Sequence, residues 1–329
     1  MKKIKRIKTN VFRMLAILAV TSLSACNGHD MPEQEAGVSG GVPLRIGGAS
    51  TSTITATSAL SRAADRIREL NDATDAIGIF LAAGNGYEAI NNNKYSYWTP
   101  YWVTDGEYLI LGQKSGSLVA YYPYDEWQLT PVATLQTRVY SPKNELYYQT
   151  FNASYMTPAV WLSLKRAYAL IRFSFIRGEA DVPVAGDGAY QGDGSITAFS
   201  FTANLARSGK LDLFTDELTG ATPEAMTLTS AAPDVPFSIG SNETPASKDF
   251  LTVPISSYNG DLTFTATVDG KTMGGKVTAK DLCGIAGAMK AGFMYEIKVT
   301  VRPTALTVTG ISQEIWDEQD VQGELEATR

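Results

Sequence analysis

Thiol and imidazole groups are the first side chains to consider for chemistry, because a nucleophilic cysteine works with a histidine base. The sequence contains two cysteines, Cys26 and Cys283, and a single histidine, His29. His29 lies close to Cys26 in sequence and far from Cys283, so histidine-assisted catalysis and most zinc sites are excluded. We therefore predict that the chain is not an enzyme and has no catalytic residue, no cofactor and no metal site. Cys283 is interpreted as a small buried apolar residue.

The residues before Cys26 indicate a different kind of chemistry. Residues 1–13 carry six basic residues and no acidic one, and an apolar run follows at residues 14–20. This run is shorter than the roughly 20 residues that span a bilayer, and the pattern is typical of a secretory signal peptide. Leu-Ser-Ala-Cys at residues 23–26 resembles the bacterial lipobox, in which the cysteine is lipidated. We predict a lipoprotein signal peptide at 1–25, with lipidation at Cys26; the alternative is an ordinary signal peptide with an incidental cysteine.

Loss of this signal peptide would make the chain strongly acidic. The sequence has 28 basic and 34 acidic residues, so removing the six basic residues at the N terminus leaves 22 and changes the net charge from −6 to −12. An acidic surface repels phosphate backbones, so nucleic acid is not expected as a partner.

A segment rich in arginine, "SALSRAADRIREL" at 58–70, could be cut by a protease. Its apolar residues Leu60, Ala63, Ile67 and Leu70 are at helical spacing, which also favours a short amphipathic helix. A helix of this length is marginal in water and would fray, so a helix and a cleavage site are compatible. A connecting helix that is never cut remains the alternative.

Aromatic side chains cluster in one stretch, "YSYWTPYW". Aromatic rings stack on sugar rings, so the cluster is a candidate ligand surface; its members are Tyr95, Tyr97, Trp98, Tyr101 and Trp102. The alternative is that some of these rings fill the core while others lie on the outer face.

The elements that must position these groups are predicted to be short strands. A polar tether at 26–41 precedes a first strand at 42–46, and later runs alternate with period two between Gly, Pro and Asp clusters. Asp269-Gly270 predicts a tight hairpin turn, whereas 159–176 reads either as strand, turn and strand or as one helix. We predict an all-β chain with sandwich domains at 42–158 and 159–329.

Several of these pieces resemble, in order along the chain, the fimbrillins (type V pilins) of Bacteroidia and their fimbrillin-like lipoprotein relatives. The matching segments are the lipobox at Cys26, the first strand at 42–46, "SRAA" at 61–64, "DAIGIFL" at 75–81, "NNNKYSYW" at 91–98, "LVAYYPYD" at 118–125, "NELYY" at 144–148, "LSLKRAYALIRFSF" at 162–175, "AGFMYEIKVTV" at 291–301 and Trp316. The chain departs from the family in having Arg166 where a histidine is usual and in its short polar tail after Trp316.

The resemblance implies two tandem transthyretin-like β-sandwich domains, export to the outer membrane as a lipoprotein, and assembly with other subunits into adhesive fimbriae at the cell surface. It also implies cleavage after an arginine that follows the first strand. We expect that cut between Arg62 and Ala63, with Arg66 and Arg68 as alternatives. The first strand would then leave and its groove would accept a strand from the next subunit. The alternative function is a non-polymerising surface lipoprotein that binds a glycan or a host ligand.

Overall fold

The computed structural model of the protein describes residues 41–52, 68–104, 106–179, 188–230, 235–285 and 287–316. The predicted signal peptide, Cys26 and the tether up to residue 40 lie outside the described residues. So do Arg62, Ala63 and Arg66, and these predictions therefore stay predictions.

Nearly all regular structure in the described residues is β-strand. The strands are β1 (Val42–Pro43), β2 (Arg45–Ser52), β3 (Arg68–Glu69), β4 (Ala76–Leu81), β5 (Ile90–Trp98), β6 (Tyr101–Thr104), β7 (Ile110–Leu111), β8 (Gly116–Tyr122), β9 (Val132–Gln136), β10 (Arg138–Val139), β11 (Tyr147–Ala153), β12 (Ala159–Arg166), β13 (Ala169–Arg177), β14 (Ser195–Ala206), β15 (Ser208–Asp212), β16 (Glu217–Thr219), β17 (Pro223–Ser230), β18 (Phe237–Ser238), β19 (Ala246–Thr252), β20 (Leu262–Val268), β21 (Lys271–Val277), β22 (Phe293–Val301) and β23 (Leu306–Ile315). One short helix, α1 (Ala279–Cys283), and a 3-10 turn at Pro142–Asn144 complete the description of regular elements.

These strands form five sheets. Sheet I has eight strands in the order β3-β2-β12-β11-β8-β4-β5-β6, and sheet V consists of β1 and β7. Sheet II has the order β10-β19-β13-β22-β23, and sheet III has the order β17-β14-β20-β21 with β18 beside β14. Sheet IV is β16-β15-β9. Neighbouring strands are antiparallel except for β2 with β12 and β13 with β22.

The middle of sheet I is buried on both faces. Alternate residues of β4 and β8, such as Ile79 and Leu118, join one apolar cluster, which we call the N-terminal core. Their neighbours Phe80 and Val119 join a second cluster, the C-terminal core, which also lies between sheets II and III. Successive strand side chains point to opposite faces, so a strand covered on both sides needs an unbroken apolar run. This accounts for the sequence "AIGIFL" in β4.

Phenylalanine rings fill the space between sheets II and III. Phe173 of β13 is fully buried, and its ring centroid lies 4.8 Å from that of Phe199 and 5.1 Å from that of Phe201, both on β14. Phe250 of β19 and Phe264 of β20 lie 6.3 and 5.5 Å from the same ring. Phe173 is therefore the common contact of this part of the core.

A buried ion pair joins sheet I to the end of sheet II. Arg166, the last residue of β12, donates a hydrogen bond of 2.5 Å to the carboxylate of Glu145, which also accepts a hydrogen bond from Tyr147. The guanidinium lies 3.8 Å from the ring centre of Trp316, directly after β23, and 4.9 Å from that of Tyr147. Trp316 is fully buried, and its backbone N–H donates to Gly292. We call these four side chains the Arg166 junction.

Several predictions made from the sequence are confirmed. The chain is all-β, and Asp269-Gly270 is the two-residue turn between β20 and β21. Of the two interpretations left open for residues 159–176, the structure has strand, turn and strand. Asp269 and Gly270 both have positive φ, as a type I′ turn requires. The division into two transthyretin-like domains stays a prediction. Pairing crosses the expected boundary, because β12 lies in sheet I whereas β9 and β10 pair with β15 and β19.

Candidate functional site: the first-strand groove

The first strand is inserted into the structure as an inner strand. β2 lies between β3 and β12, parallel to β12 and antiparallel to β3, while β1 pairs with β7. Additional backbone bonds hold it at both sides: Leu44 donates to Leu109, Arg45 donates to Pro158, and Ala49 accepts from Leu70, each at 2.8 Å. The sequence predicted one short strand at 42–46; the structure instead has two strands, and the second continues to Ser52.

The inward side chains of this strand belong to the N-terminal core. The buried residues of this strand are Leu44, Ile46, Ala49 and Thr51. The first two have even numbers and the last two have odd numbers, so the alternation of buried and outward residues changes between them. The change occurs at a bulge, where Ile46 pairs with Val160 but Gly48 pairs with Trp161 and Gly47 is the extra residue. A bulge inserts one residue and so restores the inward direction of the side chains that follow it.

The surface that receives these side chains is apolar, and we call it the first-strand groove. Its lining residues are members of the same buried cluster and include Leu70, Leu109, Leu111, Leu162 and Leu164. Burial of one Leu or Ile side chain contributes about 1.5–3 kcal/mol, so Leu44 and Ile46 together contribute about 3–6 kcal/mol. These two side chains therefore favour the seated position of the strand.

Trp161 covers the bulge from the solvent side. Its side chain is 73% exposed, yet its indole lies directly over the backbone of the two glycines. A Cβ atom placed on Gly47 would be 2.7 Å from two indole carbons, and one placed on Gly48 would be 3.1 Å from Cδ1. The glycine pair therefore makes the close approach of the indole possible.

The described end of the arginine-rich segment is strand rather than helix. Arg68 lies in β3, pairs with Thr51, and donates to the buried Asp75 carboxylate and to the Tyr122 hydroxyl, both at 3.4 Å. Burial of Tyr122 is the main cause of its raised pKa, which keeps this hydroxyl protonated as a donor to Asp75 at 3.0 Å. Arg68 is thus tied into the fold, whereas Arg62 and Arg66 lie outside the described residues.

The predicted aromatic cluster is divided between core and surface. Tyr95 and Trp102 are buried in the N-terminal core, and burial raises the pKa of Tyr95 to about 12. Tyr97 packs edge-on against Trp102, and Tyr101 is partly buried. Trp98 is 75% exposed at the turn between β5 and β6, so it is the member whose ring is open to a ligand.

A polar cleft that the sequence did not reveal lies after β8. It has a volume of about 540 Å³ and is lined by residues that include Tyr124, Asp125, Trp127, Arg138 and Asn144. Trp127 is 78% exposed, and the Asp125 carboxylate accepts a hydrogen bond from its backbone N–H, which fixes the local turn. The sequence "YYPYDEW" held the relevant aromatic residue, but only the fold brings Arg138 and Asn144 beside it.

Metal ligands and thiol groups were the first candidates for chemistry, and their positions can be stated for the described part of the chain. No set of three or more His, Cys, Asp or Glu residues there could hold a metal ion. Cys283 is buried at the end of α1, and burial raises the pKa of its thiol to about 12. None of the helices in the described residues is both long enough and apolar enough to cross a bilayer.

The packed, mostly antiparallel sheets and the inserted N-terminal strand define an all-β chain that seats its own first strand in an apolar groove. Residues 61–317 match the sequence profile of the fimbrillin-like family. The chain belongs to this family, as its sequence motifs predicted.

Solved structures show the same fold. A protein of Bacteroides uniformis provisionally assigned to cell adhesion is 18% identical, with a TM-score of 0.57 over 84% of this chain and 98% of the other. A protein of Bacteroides ovatus with the same provisional assignment is 16% identical, with a TM-score of 0.56 over 84% of this chain and 99% of the other. No curated protein sequence matches the chain significantly.

Proposed function

We propose that the protein is a structural or adhesive subunit of a fimbrium, at the stalk, anchor or tip, assembled by strand exchange after proteolysis. The observation that carries this proposal is the seating of β2 in the first-strand groove. Residues 53–67, which contain Arg62 and Arg66, are the chain's link from β2 to β3. A cut within this link leaves the first strand held by non-covalent contacts alone.

The vacated groove would then be an acceptor for another strand. Its walls would present the unpaired backbone of β12 and β3 together with the apolar side chains that Leu44 and Ile46 had covered. An incoming strand restores both kinds of contact, which is the physical basis of β-augmentation. The contacts of Arg68 with Asp75 and Tyr122 favour a cut at Arg62, or at Arg66, over a cut at Arg68.

Lipid anchoring at the outer membrane is the export step of this proposal, and it rests on Cys26 and the residues before it. We expect Cys26→Ala to abolish labelling by an acyl-chain probe and to shift the protein out of the membrane fraction. Cys283→Ala is the matched control, because Cys283 is buried and should not be acylated. Unchanged labelling of the Cys26→Ala chain would contradict lipidation at this site.

Cleavage is tested on the Cys26→Ala chain, which we expect to be a monomer before digestion. An arginine-specific protease should produce a chain that starts at Ala63, and this product should associate with itself or with a partner subunit, as measured by light scattering. The control replaces Arg62, Arg66 and Arg68 by lysine, which keeps the charges but removes the cleavage sites. A product trimmed at Ala63 that stays monomeric at high concentration, with no partner subunit restoring assembly, would contradict the polymerising function.

The second candidate function is a non-polymerising lipoprotein that binds a glycan. A digested product that stays monomeric would favour this function. Its support is two of the exposed indoles, those of Trp98 and Trp127, of which Trp127 lies beside the polar cleft. A sugar ring can stack on an indole while polar side chains bind its hydroxyls.

A further inference from the structure

The first-strand groove contains a specificity device at the Gly47–Gly48 bulge. We propose that the groove selects incoming strands that carry two adjacent glycines at the place of Gly47 and Gly48, with apolar or small residues at the places of Leu44, Ile46, Ala49 and Thr51. Such a strand would come from another protein subunit. The inference rests on the proposed strand exchange and specifies its partner.

Space, rather than backbone conformation, imposes the glycine requirement. Neither Gly47 nor Gly48 has a positive φ, so an alanine could adopt the backbone of either position. At Gly47 the three atoms nearest to a new Cβ, and at Gly48 the two atoms within 4 Å of it, belong to the indole of Trp161. A contact of 2.7 Å is closer than a Cβ atom can approach, so the indole must shift to admit a side chain at position 47.

The bulge also sets the pattern of the partner strand. Consider an incoming strand without a bulge, whose apolar side chains occupy the places of Leu44 and Ile46. Its residue at the place of Ala49 would point outward, because side-chain direction has a period of two. The groove instead accepts inward residues at 44 and 46 and then at 49 and 51. Gly47, the extra residue opposite Val160 and Trp161, shifts the inward side chains from even to odd positions.

The C-terminal part of this chain does not match that pattern. In β23 the glycine at 310 is followed by Ile311, and the sequence after Val277 contains no pair of adjacent glycines. A second copy offering its C-terminal region would therefore place a side chain under Trp161. The occupant that we propose is therefore a strand of a different subunit, and this assignment rests on the glycine rule alone.

The rule is tested by peptide binding to the Cys26→Ala chain after arginine-specific digestion. The native peptide VPLRIGGASTS (residues 42–52) competes with versions that carry Gly47→Ala or Gly48→Ala. We expect the Gly47→Ala peptide to bind about tenfold more weakly than the native peptide. This loss is near the lower end of the usual cost of inserting a methyl group into a packed site, because the indole can move. In the Trp161→Ala chain the difference should fall to about twofold.

The proposal would be overturned if the native and Gly47→Ala peptides bound the groove that contains Trp161 with equal affinity. It would also be overturned if Gly47→Ala weakened peptide binding equally in that chain and in the Trp161→Ala chain. Peptide binding does not depend on assembly of the subunits. The glycine rule can therefore be tested even if the digested chain fails to assemble in the cleavage experiment.

Thermal unfolding of the undigested chain provides a second test, which does not require a peptide to replace the first strand. Gly47→Ala should lower the thermal unfolding midpoint by about 2–4 °C, and the same substitution should have little effect when Trp161 is already alanine. Gly106→Ala is the control, because its Cβ would meet no atom closer than 3.8 Å. A midpoint for Gly47→Ala equal to that of Gly106→Ala would overturn the proposed steric role of Trp161.

Discussion

Replacement of Glu145 by alanine is expected to lower the free energy of unfolding by about 3–5 kcal/mol, the usual cost of removing one partner of a buried ion pair. Arg166 is 4% exposed and enclosed by Trp316 and Tyr147, so its charge would remain in the interior without that carboxylate. The hydroxyl of Tyr147 would lose the same acceptor. Urea unfolding followed by intrinsic fluorescence measures the change.

Two comparisons separate this effect from a general loss of charge. Arg207 and Glu224 form an ion pair whose side chains are 69% and 53% exposed, so Glu224→Ala should cost at most about 1 kcal/mol. Replacing Arg166 by methionine and Glu145 by leucine together should recover much of the stability, because neither charge of this pair then remains in the interior. A Glu145→Ala chain within 1 kcal/mol of the original would contradict the buried-pair account.

Phe173→Ala is expected to destabilise the C-terminal core by about 3–5 kcal/mol, the range for removing a fully buried phenylalanine. The ring contacts phenylalanines on both facing sheets, so its loss leaves a cavity that neither sheet can close alone. Differential scanning calorimetry measures the change. Phe173→Leu should cost less because it retains more of the side-chain volume.

Trp98→Ala is the surface control for this prediction, because it removes a larger aromatic ring from a side chain that is 75% exposed. We expect its effect to stay within about 0.5 kcal/mol, the usual range for surface positions. Equal losses for Phe173→Ala and Trp98→Ala would show that the phenylalanine cluster does not dominate this core.

The fold class was predictable because each strand carries its own local signal. Period-two runs and the Asp269-Gly270 turn act over a few residues, so they are visible without the partner strand. The extent of β2 was not predictable from alternation. The bulge at Gly47 changes the parity of burial, and the following residues Ala49 and Thr51 do not form an apolar run.

Contacts between distant residues account for the parts of the site that sequence reasoning missed. The parallel pairing of β2 with β12 joins residues more than a hundred positions apart, as the bond from Ser50 to Leu162 illustrates. Arg166 departs from the family pattern at a single position, but its partner Glu145 lies 21 residues earlier on the chain. Neither the alternation of residues nor their spacing encodes such a pairing.

The position of β2 within sheet I has a mechanical consequence. Because β2 is hydrogen-bonded along its length beside β12, tension applied along its axis loads many backbone bonds in shear at the same time. Bonds loaded together resist force better than bonds that open one after another from an edge. Resistance under load depends on the rate of forced unfolding rather than on equilibrium affinity alone. A strand of modest binding free energy in this position is therefore suited to transmitting tension from one end of the sheet to the other.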